Sequence, residues 1–167
     1  MHIAQMLKQM LDNQIVYDKR TGNLRPYRLI VVVMPPFESQ AISLGKAAER
    51  VNSSYVNINL ELSRRLLELT QRQRPLRVQR LLEDIIGNTD DRVVFLDRIE
   101  ILFDVSLKLD PLRCLQGLAR NRTVIAVWNG SFENNYLVYA EPGHPEYRRY
   151  QKNDFLVVIG TEGNRSY

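Results

Sequence analysis

Four short runs of almost unbroken apolar residues limit what this chain can fold into. They are "LIVVVM" (29–34), "VVFL" (93–96), "TVIAVW" (123–128) and "FLVVI" (155–159), and the first three are separated from one another by segments with helical patterning. A strand that is apolar on both sides needs burial on both faces, as in a parallel sheet. Parallel neighbours require crossover connections, and right-handed crossovers place helices on both faces. The expectation is a three-layer α/β domain with a mostly parallel sheet of about five strands.

The elements follow in order. "MHIAQMLKQMLDNQ" reads as an amphipathic helix with Ile3, Met6, Leu7, Met10 and Leu11 on one face. A turn at 18–26 leads to the first strand, Leu29–Met34, and a helix is expected over Ala41–Val51. "SSYVNINL" (53–60) alternates Tyr55, Val56, Ile58 and Leu60 with asparagines and reads as a half-exposed second strand. Helices are expected over 61–73 and 76–88, divided by Pro75 and ended by Gly87-Asn88. The third strand, 91–97, ends in Asp97. "DPLRCLQGLARN" (110–121) starts as a helix should, with Asp110 as N-cap and Pro111 in the first turn. Strands four and five fall at 122–130 and 155–160. Between them lies an insertion, 131–152, with one short strand at 136–141.

At 167 residues, 44% hydrophobic and 25% charged, the chain reads as a single domain over 1–167 that can bury a core unaided, with 1–26 as N-terminal helix and turn. Its single cysteine, Cys114, fits a reducing compartment. No apolar stretch reaches the ~18 residues of a membrane span, and the N-terminus lacks a signal-peptide layout. A cytoplasmic protein is expected. The net charge of +4 permits an acidic partner or nucleic acid and requires neither.

In a doubly wound sheet, ligands sit beyond the carboxyl ends of the strands. Three such ends stand out here. The first strand runs into "MPPFESQA", the third ends at Asp97 and the fourth at Trp128-Asn129. A nucleotide hydrolase needs a loop for phosphates, an acid for magnesium-bound water and a polar group to feel the terminal phosphate. Taken alone, an acid such as Asp97 often only caps the next turn.

The stretches "YVNINLELSRRLLELTQRQRPLRVQRLLEDI", "VVFLDRIEILFDVSLKLDPLRCLQGLARNRTVIAVWNGS" and "YAEPGHPEYRRY" resemble the BrxF family, small P-loop-type proteins of the type III BREX phage-defence systems of bacteria and archaea. The resemblance extends from about Leu29 to Val158. It implies a P-loop NTPase fold of the AAA-like, additional-strand type, with the Asp97 strand beside the first strand. It also implies membership of a defence complex containing a large ATPase, an adenine DNA methyltransferase and an alkaline-phosphatase-like protein.

The opening loop departs from that family's chemistry. In G-x-x-x-x-G-K-[ST], glycines let backbone N–H groups converge on phosphate, the lysine adds charge and the hydroxyl holds magnesium. Laid on this chain, the pattern puts Met34 and Ser39 at the glycines, Gln40 at the lysine and Ala41 at the hydroxyl. Pro35, Pro36, Phe37 and Glu38 fill the interior, where Glu38 would repel phosphate. The loop over Pro35–Ala41 reads as a remnant. Gly45-Lys46 does not replace it, because Lys46 lies about a turn into the helix. Asp97, Glu100 and Asn129 are residual catalytic candidates that read as structural, and Arg98 removes the paired-acid arrangement. No cofactor is expected; ATP and magnesium, with Asp97 as metal-side acid, enter only if the loop binds nucleotide after all.

Two basic features remain. Arg64, Arg65, Arg72, Arg74, Arg77 and Arg80 could meet DNA phosphates or an acidic partner; the alternative is a solvated helix face balanced by Glu61, Glu68, Glu83 and Asp84. Arg148 and Arg149, in "HPEYRRY", could act in trans on the large ATPase or form structural salt bridges. His144 has no nucleophile or metal-spaced partner beside it, and Trp128 reads as core. Three functions stand open: a non-catalytic adaptor, an ATPase activated by a partner, and a DNA-binding module. The adaptor is favoured. Its partners would be the other defence proteins, the large ATPase among them, or further copies of itself.

Overall fold

The computed structural model describes residues 3–12, 25–34, 41–89 and 91–160. Five parallel strands, β1 (Leu29–Met34), β2 (Ser54–Asn57), β3 (Val93–Asp97), β4 (Thr123–Asn129) and β8 (Leu156–Ile159), form one sheet in the order β2-β3-β4-β1-β8. Successive residues of a strand face opposite sides, and this alternation divides the core in two. Leu29, Val31, Val33, Val94, Leu96, Val124, Ala126 and Trp128 face α3 (Ile58–Leu66), α4 (Arg74–Gly87) and α5 (Pro111–Leu118). Ile30, Val32, Met34, Phe95, Ile125 and Val127 face α1 (Ile3–Asp12) and α2 (Ala41–Arg50), through Leu7, Ala48 and Val51. The three layers expected from the apolar runs are present.

One expectation about neighbours is corrected. The strand ending in Asp97 does not lie beside β1; β4 is hydrogen-bonded between them, with Phe95 opposite Ile125 and Ile125 opposite Ile30. Periodicity shows that a strand is buried on both faces, whereas its neighbours depend on contacts far apart in sequence. β4 is apolar from Val124 to Trp128 and fills this central place without exposing an edge.

The second strand is also shorter than expected. It stops at Asn57, whose side chain accepts from the Leu60 amide at 3.0 Å and caps α3. Ile58, Leu62 and Leu66, four residues apart, then form the buried stripe of that helix. The alternation over 53–60 therefore spans a strand and the first turn of a helix. α3 ends at Leu66 rather than 73. Pro75 opens α4 instead of merely separating two helices.

The insertion holds three strands rather than one. β5 (Ser131–Glu133), β6 (Tyr136–Tyr139) and β7 (Arg148–Gln151) form an antiparallel sheet. Asn134 and Asn135, at φ 51° and 67°, make the two-residue turn between β5 and β6, the conformation that a tight hairpin favours. Aromatic packing seats this sheet against the end of β4. The Phe103 and Tyr139 rings stack at 3.6 Å, and Trp128 meets Phe103 edge-on at 5.1 Å. Trp128 is fully buried, and its Nε1 donates to the Val138 carbonyl at 2.9 Å.

Candidate functional site at the carboxyl ends of the strands

Register aligns the strand ends: Asn57 lies opposite Asp97, and Met34 opposite Asn129. The loop expected to be a phosphate-loop remnant lies, over 35–40, outside the described residues; Ala41 opens α2. Lys46, farther along the same helix, is exposed.

Asp97 is 5% exposed. Its Oδ2 accepts from the Tyr55 hydroxyl and its Oδ1 from the Arg98 amide at 2.8 Å. Tyr55 comes from the edge strand β2, and its ring stacks on Phe95 at 5.8 Å. Burial, then the hydrogen bond to Asp97 and that carboxylate's charge, hold the Tyr55 hydroxyl well above the usual tyrosine range, with Arg98 opposing. Arg98 itself sits at φ 52°, a left-handed conformation that disfavours a β-carbon by about 1 kcal/mol. The turn it makes lets its amide close on Asp97.

Glu100 opens a 3₁₀ turn over Glu100–Phe103. Its two oxygens accept from different amides: Oε1 from Asn129 Nδ2, and Oε2 from Asn59 Nδ2 at 3.1 Å. Asn59 also accepts from the Ile101 amide at 2.8 Å through Oδ1, and its own backbone N–H donates to the Arg98 carbonyl at 2.8 Å. Glu100 and Asn129 are thus brought together, while Asp97 is held separately by Tyr55. Asn59 and Tyr55 complete the arrangement, and sequence reasoning gave neither a role in it. The available signal was the asparagine pair in "YVNIN", with Asn57 left to cap the helix and Asn59 left to brace the acid.

Beyond Glu100 opens a cleft of ≈ 620 Å³, lined by Arg98, Asn129, Tyr139, Glu141, His144 and Glu146 among others. Burial, then the charges of Glu146 and Glu100, push the Tyr139 hydroxyl up to about 12. His144 Nδ1 accepts from the Glu146 amide at 3.1 Å, which leaves it within its own turn. Among the described residues no group of three or more His, Cys, Asp or Glu side chains is arranged to hold a metal ion.

Each oxygen of Asp97 and of Glu100 accepts one hydrogen bond from within the protein, about half of a carboxylate's acceptor capacity, and the loop sequence offers neither lysine nor hydroxyl at the needed positions of the phosphate-loop pattern.

The arginines fall into two groups. Arg65 lies 3.0 Å from Glu61, Arg64 lies 3.6 Å from the same carboxylate, and Arg74 Nε donates to the Leu66 carbonyl at 3.0 Å. Arg72, Arg77 and Arg80 are exposed. On β7, Arg149 lies 3.4 Å over the Tyr136 ring, and Arg148 donates to the Tyr147 carbonyl at 3.2 Å. Among the described residues neither of the two meets a carboxylate, so the salt-bridge expectation gives way to aromatic and carbonyl contacts. No helix among the described residues is long and apolar enough to cross a membrane.

No family model matches the chain, and no curated protein matches it. Among solved structures it is similar to C. elegans PCH-2, at 15% identity and a TM-score of 0.39, over 76% of this chain and 35% of that one. A likeness at that level carries no functional assignment.

Proposed function

We propose that this chain is a P-loop NTPase-like scaffold of the AAA-like, additional-strand type with a degenerate phosphate loop, acting as a non-catalytic adaptor in a cytoplasmic BREX-type phage-defence complex. The scaffold reading is supported by the parallel five-stranded sheet that carries both the loop-bearing β1 and the acid-bearing β3, with β4 between them where the resemblance implied direct neighbours. The assignment to defence is supported by the resemblance to the BrxF family. The observation that carries the non-catalytic reading is that both oxygens of Asp97 and of Glu100 are held from within the protein, by Tyr55, the Arg98 amide, Asn59 and Asn129. Donors on both oxygens hold each acid in one place, as a structural brace does.

The partners would be the large ATPase and other members of the defence complex. The test is phosphate release and thermal shift with Mg-ATP, on wild type and Asp97→Ala. A binder held a hundredfold above its Kd would gain about 2.7 kcal/mol, roughly 5–10 °C in a domain of this size. No turnover and a shift under about 1 °C are expected. Robust release abolished in Asp97→Ala would overturn the reading.

One observation favours a second reading, a partner-activated ATPase. The Glu100–Asn129 pair borders an open cleft, so a partner could reach it. In that case turnover would appear only when the large ATPase is added, and would fall in Glu100→Gln.

A further inference from the structure

The α3–α4 hairpin carries a surface that the strand ends do not use. α3 buries Ile58, Leu62 and Leu66. On another face it presents Leu60, Arg64 and Leu67, at positions i, i+4 and i+7 of one helical stripe. Leu67, at the end of α3, is 77% exposed, and Leu76, in the first turn of α4, is 84% exposed. These two flank the turn that joins the helices. Leucines this exposed contribute nothing to the core and leave apolar surface in water.

The charge of the molecule is concentrated at the same place. Between residues 61 and 80 there are six arginines and two glutamates, an excess equal to the +4 of the whole chain. Arg65 and Arg74 are engaged within the hairpin. Arg72, Arg77 and Arg80 are exposed and, among the described residues, pair with no acid. Hydrogen bonds fasten the turn between the helices: the Thr70 amide donates to Gln73 Oε1 at 3.0 Å, the Gln73 amide donates to Thr70 Oγ1 at 3.3 Å, and Arg74 ties back to the Leu66 carbonyl.

From this juxtaposition we infer that the hairpin docks an acidic, leucine-bearing segment of a partner protein, with Leu67 and Leu76 as anchors and Arg72, Arg77 and Arg80 as the surrounding charge. The inference rests on the adaptor reading and names the surface that reading lacks. Protein interfaces set apolar side chains at the centre of a patch and favour arginine around them. A DNA backbone would satisfy the arginines but leave both leucines against phosphate and water.

The test uses the full chain and three labelled probes in anisotropy titrations at 50 and 200 mM salt. The first is a synthetic 20-residue helix with glutamates on one face and leucines on the other. The second is the same peptide with serine for leucine, and the third is a 20-base-pair duplex. The leucine peptide is expected to bind at least tenfold more tightly than the serine peptide. Leu67→Ser with Leu76→Ser should remove that tenfold preference and leave the melting temperature unchanged. Arg72→Gln, Arg77→Gln and Arg80→Gln together should weaken both peptides and flatten the salt dependence. Any of three results would overturn the inference: equal or absent binding of the peptides, duplex binding that exceeds them and ignores the leucines, or a concentration-dependent dimer lost in the leucine variant. Failure of the adaptor reading would register elsewhere, as Mg-ATP turnover by the wild type that the leucine substitutions leave intact.

Discussion

The Tyr55 hydroxyl donates to Oδ2 of Asp97, so the edge strand of the sheet closes the carboxylate that ends its neighbour. Tyr55→Phe removes one of the two donors to a buried acid and should destabilise the protein by about 1–3 kcal/mol, measured by urea unfolding at pH 7. The pH dependence has a definite sign. The folded-state pKa of Tyr55 is raised, by burial first and Asp97 second, so the native state holds this proton more firmly than the unfolded chain does. Its contribution is complete below the unfolded tyrosine value of about 10 and is lost as pH rises beyond it. Wild type should therefore lose stability from about pH 10 upward more steeply than Tyr55→Phe does. Parallel slopes would show that Tyr55 and Asp97 are not coupled.

Asn59 is the brace between the two acid-bearing turns, since it donates to Glu100, accepts from the Ile101 amide and donates its own amide to the Arg98 carbonyl. Asn59→Ala strands one backbone donor and one carboxylate oxygen together, at a cost of about 2–3 kcal/mol. Asn59→Asp is nearly isosteric and keeps an acceptor for Ile101, yet it places a second negative charge beside Glu100. It should be at least as destabilising as alanine at pH 7 and recover as pH falls through about 4, where carboxylates protonate. Urea titrations of both variants at pH 7 and pH 4 decide this; an Asn59→Asp variant insensitive to pH would show that Glu100 faces elsewhere.

What could be read from the chain was what local rules govern. Leu29–Met34 announces a doubly buried strand by its unbroken run. Asp110 caps α5 by accepting from the Arg113 amide at 3.2 Å, with Pro111 in the first turn, because both residues have local reasons to be there. Contacts across the sequence were not legible. Asn59 meets Glu100 across 41 steps of chain, and the asparagine pair in "YVNIN" does not say which distant acid it would meet. The position of β4 between β1 and β3 is likewise a matter of pairing between distant segments. The alternation over 53–60 misled for a different reason: apolar residues at 56, 58 and 60 fit a strand, while the Asn57 cap and the stripe through Ile58, Leu62 and Leu66 fit a helix, and tertiary burial favours the stripe. In the insertion, Asn134-Asn135 was a usable hairpin signal of the kind that adopts positive φ readily.

Gly130 lies where the end of β4 turns into the small sheet, and a β-carbon there would overlap the Val138 carbonyl and come within 2.8 Å of Trp128 Nε1. That is the same donor–acceptor pair that fastens β4 to β6. Gly130→Ala must therefore push the two apart, and about 2–3 kcal/mol of destabilisation is expected from overpacking and the strained bond. Trp128 is the single tryptophan of the chain, so its fluorescence reports the event without interference. The native emission of Gly130→Ala should shift to the red of wild type as the indole loses its partner, alongside a lower urea midpoint. An unshifted spectrum with wild-type stability would mean that the junction yields freely.

Cys114 sits on the buried face of α5, 4% exposed. Burial, followed by the charges of Glu83 and Asp110, pushes its thiol up to about 12. Only the thiolate attacks a disulfide reagent, so at pH 8 the native protein should react with an aromatic disulfide under about 1% as fast as the urea-unfolded chain. The rate in the native state should track unfolding rather than reagent concentration. Raising pH tests the cause: the folded pKa exceeds the unfolded value of about 8.5, so the thiol's contribution to stability is intact below that pH and declines as pH climbs past it. Cys114→Ala should flatten that part of the stability profile while opening a small cavity that costs about 1 kcal/mol. Rapid labelling of the native protein at pH 8, first order in reagent, would show that α5 leaves the sheet far more easily than the core its Cys114 and Leu115 share with Leu82 implies.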